Sequence, residues 1–233
     1  MLFNLRKSVL EANLQLVKHE LVIFTWGNVS GIDRESGLVA IKPSGVTYDD
    51  MGVDDIVIVD LNGKKVHGNL KPSSDTPTHL VLYNKFPQLG GIVHTHSEWT
   101  TSRAQAGKEI PAYGTTHADH FFGTIPCTRP MKQEETAEKY EENTGHVIVE
   151  CFNDNNIDPM NIPGVLVHGH GPFTWGDTPQ KAVYNSVVLE EVTKMAHRTE
   201  LMGNQKPIEN HLLEKHFLRK HGKGAYYGQN NKK

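Results

Sequence analysis

Apolar positions at Leu2, Leu5, Val9, Ala12 and Leu16 recur at helical spacing, widened by Leu10, Leu14 and Val17. That period predicts an amphipathic helix over residues 2–21, packed on a sheet. The run Leu21-Val22-Ile23-Phe24-Thr25-Trp26 reads as a strand ended by Gly27-Asn28, and Leu38–Ile41 as a short strand closed by Lys42-Pro43-Ser44-Gly45. Residues 55–61 read as a strand entering an Asn62-Gly63 hairpin turn. Cap-forming residues then precede Pro77, which suits a first helical turn, and the helix they open runs on until Pro87. Gly90 and Gly91 introduce a strand through Ile92-Val93-His94-Thr95-His96, with a short helix over 98–106. Residues 111–125 are loop-like, and 134–144 predict a charged, exposed helix. A strand at 164–168, a long helix from Thr178-Pro179 to about Arg198 and a last helix over 209–221 closed by Gly222 complete the order. Strands with helices between and after them imply an α/β layered domain, and the hairpin signals make its mixed sheet mostly antiparallel.

Composition narrows the function. With 233 residues, no Pro- or Gly/Ser-rich linker and no repeat, the chain is expected to form a single domain over 1–233, with a C-terminal helix and tail from about 209. A formal charge of -3, with no basic run interleaved with aromatics before the C-terminal tail, does not suggest a nucleic-acid binder. No apolar run is long enough for a membrane span, and the charged first twenty residues do not read as a secretory leader. Cys127 and Cys151 are then two reduced thiols, and the expected location is the cytoplasm.

The fourteen histidines carry the candidate chemistry. Along a strand, His94 and His96 share a face with Cβ atoms about 7 Å apart, so both can reach one metal ion. Gly164-Val165-Leu166-Val167-His168-Gly169-His170 offers a third ligand, and spacing does not choose between His168 and His170. Three imidazoles without cysteines suit a catalytic site that leaves a coordination position open. Three turns resemble anion cradles: Gly27-Asn28, Lys42 with Ser44-Gly45, and Ser73-Ser74 at a helix start. Together they point to a monophosphate ester, while the lack of a Gly-rich nucleotide fingerprint argues against NAD and ATP. Asp75 reads either as an N-cap or as an oxygen ligand to the metal. Asp119, flanked by histidines, is a candidate general acid/base, and a tail phenol of Tyr226-Tyr227 near a cation could exchange protons.

Taken together, Thr25-Trp26-Gly27-Asn28-Val29-Ser30, Ile41-Lys42-Pro43-Ser44-Gly45 and the segments 71–79, 91–97, 114–119, 168–175 and 216–229 resemble the class II aldolase/epimerase family over nearly the whole chain. The resemblance implies a three-layer α/β/α domain assembled as a homotetramer, with active sites between subunits. It assigns His94, His96 and His170 to a divalent metal, Zn2+ in the first instance with Mn2+ or Co2+ as alternatives. Asp75 matches the acid beside that metal. Gly27, Asn28, Ser44, Gly45, Ser73 and Ser74 match a substrate-phosphate pocket, with Lys42 close by. Asp119 matches an acid/base on one face of the substrate, and Tyr227, from the adjacent subunit, its counterpart on the other. Thr115, Glu141, His216 and Arg219 match supporting residues. The implied activity is interconversion of L-ribulose 5-phosphate and D-xylulose 5-phosphate by retro-aldol cleavage and re-addition at C3–C4. An aldolase of the same family, which carries a longer acid at the position of Asp75, is the nearest alternative; a non-catalytic interaction module of the same fold is a second.

Overall fold

Period-2 alternation splits the inner strands between two apolar surfaces, and helices cover both. The computed structural model describes residues 1–203, 205–222 and 224–226. The chain runs α1 (Phe3–Lys18), β1 (Asn28–Asp33), β2 (Leu38–Ile41), β3 (Val57–Asp60), β4 (Lys65–His67), α2 (Thr76–Lys85), β5 (Gly91–His94), α3 (Glu98–Gln105), α4 (Thr115–Ala118), α5 (Gln133–Ala137), α6 (Tyr140–Asp154), β6 (Gly164–Val167), β7 (Gly171–Gly176), α7 (Pro179–Met202) and α8 (Asn210–His221). The strands form one seven-stranded sheet, ordered β4-β3-β2-β1-β5-β7-β6, and each of its ladders is antiparallel. A parallel pairing occurs at the isolated Cys127–Leu166 bridge.

On one face Ile32, Val39, Val57, Val59, Ile92, Val165, Val167, Phe173 and Trp175 pack against Leu80, Leu82 and Tyr83 of α2 and Ile148 and Phe152 of α6. On the other, Val29 and Val93 meet Ala12 and Leu16 of α1 and Ala182 and Val183 of α7. Leu166 meets Ala104 of α3 and Leu189 and Val192 of α7. These are the three layers expected from the sequence. Gly31, Gly91 and Gly176 lie side by side across β1, β5 and β7. A Cβ at Gly91 would stand 2.4 Å from the backbone of Pro179, so this glycine row is what lets the start of α7 lie flat on the sheet.

Some elements differ from the pattern-based reading. Residues 21–26 are not a strand: Leu21 is buried, but Ile23, Phe24 and Trp26 are 56%, 78% and 50% exposed. Both edges of β1 are already paired, with β2 and β5, and Tyr48 O–H donates to the carbonyls of Trp26 and Gly27, holding the segment as a turn. Strand β3 starts at Val57, two residues later than expected. The 111–125 segment contains α4 and a bridge between Ile110 and Ile125, both fully buried. The charged helix at 134–144 is two helices, broken at Lys139 with φ 53°. The second, α6, is not wholly exposed: it buries Val147, Ile148, Val149 and Phe152, and Gly145 brings it against Val81 of α2. The charges of its first turn mask the apolar stripe that comes after them. No helix among the described residues is long and apolar enough to cross a membrane.

Candidate active site

Three strand ends meet at one edge of the α2/α6 face. Asn28 opens β1 opposite His94, the last residue of β5, and His94 is opposite Phe173 of β7. The His94 ring stacks on Phe173 at 4.2 Å, and its Nδ1 donates to the Pro172 carbonyl at 2.9 Å. That bond fixes the tautomer and leaves the Nε2 lone pair aimed into the site. His96 lies two residues beyond the end of β5, with its Nε2 3.1 Å from that of His94. His170 sits in the β6–β7 turn after Gly169, whose φ of +72° is left-handed. Ligating nitrogens of the three histidines all lie within 4.8 Å of one another. His168 is not part of the group: its N–H donates to Thr128 Oγ1, and its ring fills the space a side chain at Gly107 would need.

Burial, reinforced by His94 and His96, holds the His170 pKa down at about 3, and burial also lowers that of His96. Both are therefore neutral at physiological pH, with lone pairs available. An all-imidazole donor set fits a divalent transition metal with an open position.

Asp75 stands beside the triad and does not cap α2. Its Oδ2 instead accepts from Asn28 Nδ2 at 2.6 Å. Burial opposes its charge, but the fields of His94 and His79 and the Asn28 bond outweigh it and lower its pKa. One turn along α2, His79 is fully buried, and its pKa is pushed down to about 3 by burial. Its Nδ1 is 2.7 Å from Ser30 Oγ, which also touches Tyr83 O–H at 2.8 Å. Tyr140, the first residue of α6, brings its hydroxyl within 3.3 Å of His170 Nδ1. Sequence reading missed His79 and Tyr140. The helical i+4 step from Asp75 to His79 was a usable signal for the first; nothing marked Tyr140.

The anion-binding turns are tied to each other. Ser44 N–H donates to the Lys71 carbonyl and Ser73 N–H to the Lys42 carbonyl, both at 3.0 Å. These two amides are thereby spent, which leaves the hydroxyls of Ser44, Ser73 and Ser74, the other amides of the turns and the charge of Lys42 for an anion. Lys42 is 2% exposed, its Nζ donates to the Val46 carbonyl at 2.7 Å, and burial lowers its pKa. Gly27 adopts φ +77°, and a Cβ there would stand 2.8 Å from the His94 carbonyl oxygen. A single cleft of about 580 Å³ is lined by Gly27, Asn28, Lys42, Ser44, Gly45, Ser73, Ser74, Asp75, His94, His96 and His170, with Trp26 at its wall. It brings together every metal and phosphate candidate.

The remaining candidates are elsewhere in the chain. Asp119 follows α4 and receives Arg219 Nη2 at 2.8 Å, His216 Nδ1 at 3.0 Å and Lys220 Nζ at 3.2 Å, all from α8. Partial burial works against its charge, but these bonds prevail and hold the carboxyl at a pKa of about 2. Thr115 opens α4. Glu141, in the first turn of α6, accepts from Thr78 Oγ1 through its carbonyl at 2.5 Å. None of Thr115, Asp119, Glu141, His216 and Arg219 lines the cleft. Tyr227 lies outside the described residues.

Comparisons agree with this picture. Residues 7–197 match the class II aldolase and adducin N-terminal domain family. The chain is 56% identical over 226 residues to L-ribulose-5-phosphate 4-epimerase UlaF of Salmonella paratyphi C, covering 97% of this chain and 98% of that one. The Salmonella typhi protein of the same name is 55% identical, with the same coverage. Among solved structures, an L-fuculose 1-phosphate aldolase superposes with a TM-score of 0.78 at 22% identity, covering 91% of this chain and 94% of that one. The L-fuculose-1-phosphate aldolase of Thermus thermophilus gives 0.66 at 19% identity, covering 85% and 96%. At such identities the structural likeness speaks for the fold alone.

Proposed function

The chain belongs to the class II aldolase and adducin N-terminal domain family, and from that premise we propose that it is an L-ribulose-5-phosphate 4-epimerase. The observation that carries this reading is the 56% identity to a protein of that name over 97% of the chain. The joining of an imidazole triad and an anion pocket in one cleft supports it.

C4 of the substrate bears no acidic proton, so its configuration is inverted by breaking and remaking the C3–C4 bond. His94, His96 and His170 would hold a divalent metal, assigned here as Zn2+, which when bound would supply a Lewis acid for the oxygens of the C1–C3 fragment. Asp75, kept ionised beside the triad, and Asn28 orient the substrate oxygens. The hydroxyls of Ser44, Ser73 and Ser74, with the charge of Lys42, anchor the phosphate through the reaction. As C3–C4 breaks, the C4 hydroxyl proton passes to an acid/base on one face, and the bonding pair goes to the three-carbon enediolate. Glycolaldehyde phosphate then turns its aldehyde while its phosphate stays held. The enediolate adds to the opposite carbonyl face, and the new C4 alkoxide takes a proton from the second acid/base. We assign these two roles to Asp119 and Tyr227, with Thr115, Glu141, His216 and Arg219 in support.

Because Asp119 is not in the cleft of its own subunit, the reading places the active sites between subunits of a homotetramer, in one domain spanning 1–233 and in the cytoplasm. The test is incubation of the purified protein with L-ribulose 5-phosphate. D-xylulose 5-phosphate as the main product supports the epimerase, whereas accumulation of free glycolaldehyde phosphate makes it an aldolase.

A further inference from the structure

The His94 end of the metal triad is held by the sheet, but His96 lies beyond it. Among the described residues, β5 ends at His94, and the next bond back to β7, Thr95 N–H to the Pro172 carbonyl, is long at 3.4 Å. Past His96 the chain enters α3 directly, and the first turn of that helix is capped unusually. Ser97 occupies the N-cap position but makes no cap bond of its own. The acceptor is Glu190, from the middle of α7 on the opposite face of the sheet. Its Oε1 takes the Trp99 amide at 2.7 Å. Its Oε2 takes the Thr100 amide at 3.0 Å, Thr100 Oγ1 at 2.6 Å and Ser97 Oγ at 2.7 Å. A carboxylate facing the free amides of a helix start is favoured by the helix dipole as well as by these bonds.

We propose that Glu190 is a positioning residue for the metal centre, clamping the Ser97–Thr100 turn so that His96 meets His94 and His170 without a search. The inference rests on the metal-site reading above. It goes beyond that reading because Glu190 touches neither ligand nor substrate in it. All four bonds need an acceptor. An amide replacing the carboxylate would turn an N–H₂ donor toward either the Trp99 amide or the three donors of Ser97 and Thr100, and one side of the clamp would open.

The experiment titrates Co2+ into the metal-stripped full chain and reads the dissociation constant and the visible absorption of the bound ion, for wild type and Glu190→Gln. We expect Glu190→Gln to weaken Co2+ binding by about 10-fold, the lower end of the range for residues that orient ligands, with an altered absorption band. A folded metal-free Glu190→Gln that keeps the wild-type constant and spectrum overturns the proposal, because a purely structural residue lowers the thermal midpoint without touching either. Should that variant not fold, Ser97→Ala and Thr100→Val decide, each removing a hydroxyl from the clamp: weakened binding in either supports it, and wild-type binding in both overturns it. Wild-type protein that takes up no stoichiometric Co2+ fails the metal-site reading itself, a separate outcome.

Discussion

The cleft and the Asp119 cluster place polar groups by opposite means. In the cleft, side chains stand on strand ends and on two turns bonded to each other, and burial lowers the pKa values of His96 and His170. Around Asp119, one carboxylate is saturated by cations from α8, a helix in which Phe217 alone is buried among the described residues. The first region is a receptacle whose shape the sheet dictates; the second is a tether whose strength is charge. A cluster so bonded fixes α8 against the end of α4. On the proposed reading, the sheet holds the substrate and the tether delivers proton-transfer groups to a neighbour.

The sharpest way to break this division is to disable each region separately. His96→Ala should strip the divalent metal and lower turnover by more than about 100-fold, beyond the loss expected of a residue that merely orients a ligand. Metal analysis beside the epimerase assay checks it, and retained metal with full turnover refutes the ligand assignment. Asp119→Asn, and likewise Tyr227→Phe, should leave metal content unchanged and slow turnover by about 10²–10⁴-fold. Co-assembling inactive His96→Ala with inactive Asp119→Asn chains should then restore roughly a quarter of the wild-type rate, if each site draws on two subunits at random. Hybrids no more active than their parents place both regions' work within one chain. A smaller effect is expected from Ser44→Ala, a rise of about 10-fold in KM with little change in kcat, as for the loss of one hydrogen bond to a charged group.

Acidification should act most gently, and on the Asp119 side of the comparison. The Asp119 carboxyl titrates at about 2 when folded against a reference of 3.8, so its contribution is complete above about pH 4 and is lost as pH falls toward 2. His117 is pushed by burial from 6.5 to about 4, so folding with it neutral is fully favourable above about pH 6.5 and becomes less so as pH falls toward 4. Urea midpoints should therefore drop modestly from pH 7 to pH 5 in wild type and Asp119→Asn alike. The further drop between pH 4 and 2 should be smaller in Asp119→Asn.

How much of this was legible in the chain depends on how local the cause is. The helix of α1 and the hairpin at Asn62-Gly63 are written in short-range periods and turn residues and stand as read, whereas His94 and His96 do converge but only His94 is on the strand expected to carry both. Residues 21–26 carry strong strand propensity, yet both edges of β1, the strand they lead into, are taken by β2 and β5, and which edges are occupied is a property of the whole fold. The choice of His170 over His168 came from family resemblance, since both follow β6 and only the Gly169 turn separates their directions. Asp75 looked like a cap until Asn28, forty-seven positions away, claimed its carboxylate. The crowding of cations onto Asp119 was invisible for the same reason, because His216, Arg219 and Lys220 lie about a hundred residues further on.

The glycine row beneath α7 has reach well past its own neighbourhood. Pro179 rests on Gly31 and Gly91, and Glu190 lies eleven residues up the same rod, about 16 Å along its axis. A methyl group added at Gly91 would wedge the foot of that rod away from the strands and swing its upper part with it. Such a lesion, touching neither cleft nor cation cluster, would register first as a metal centre that no longer closes.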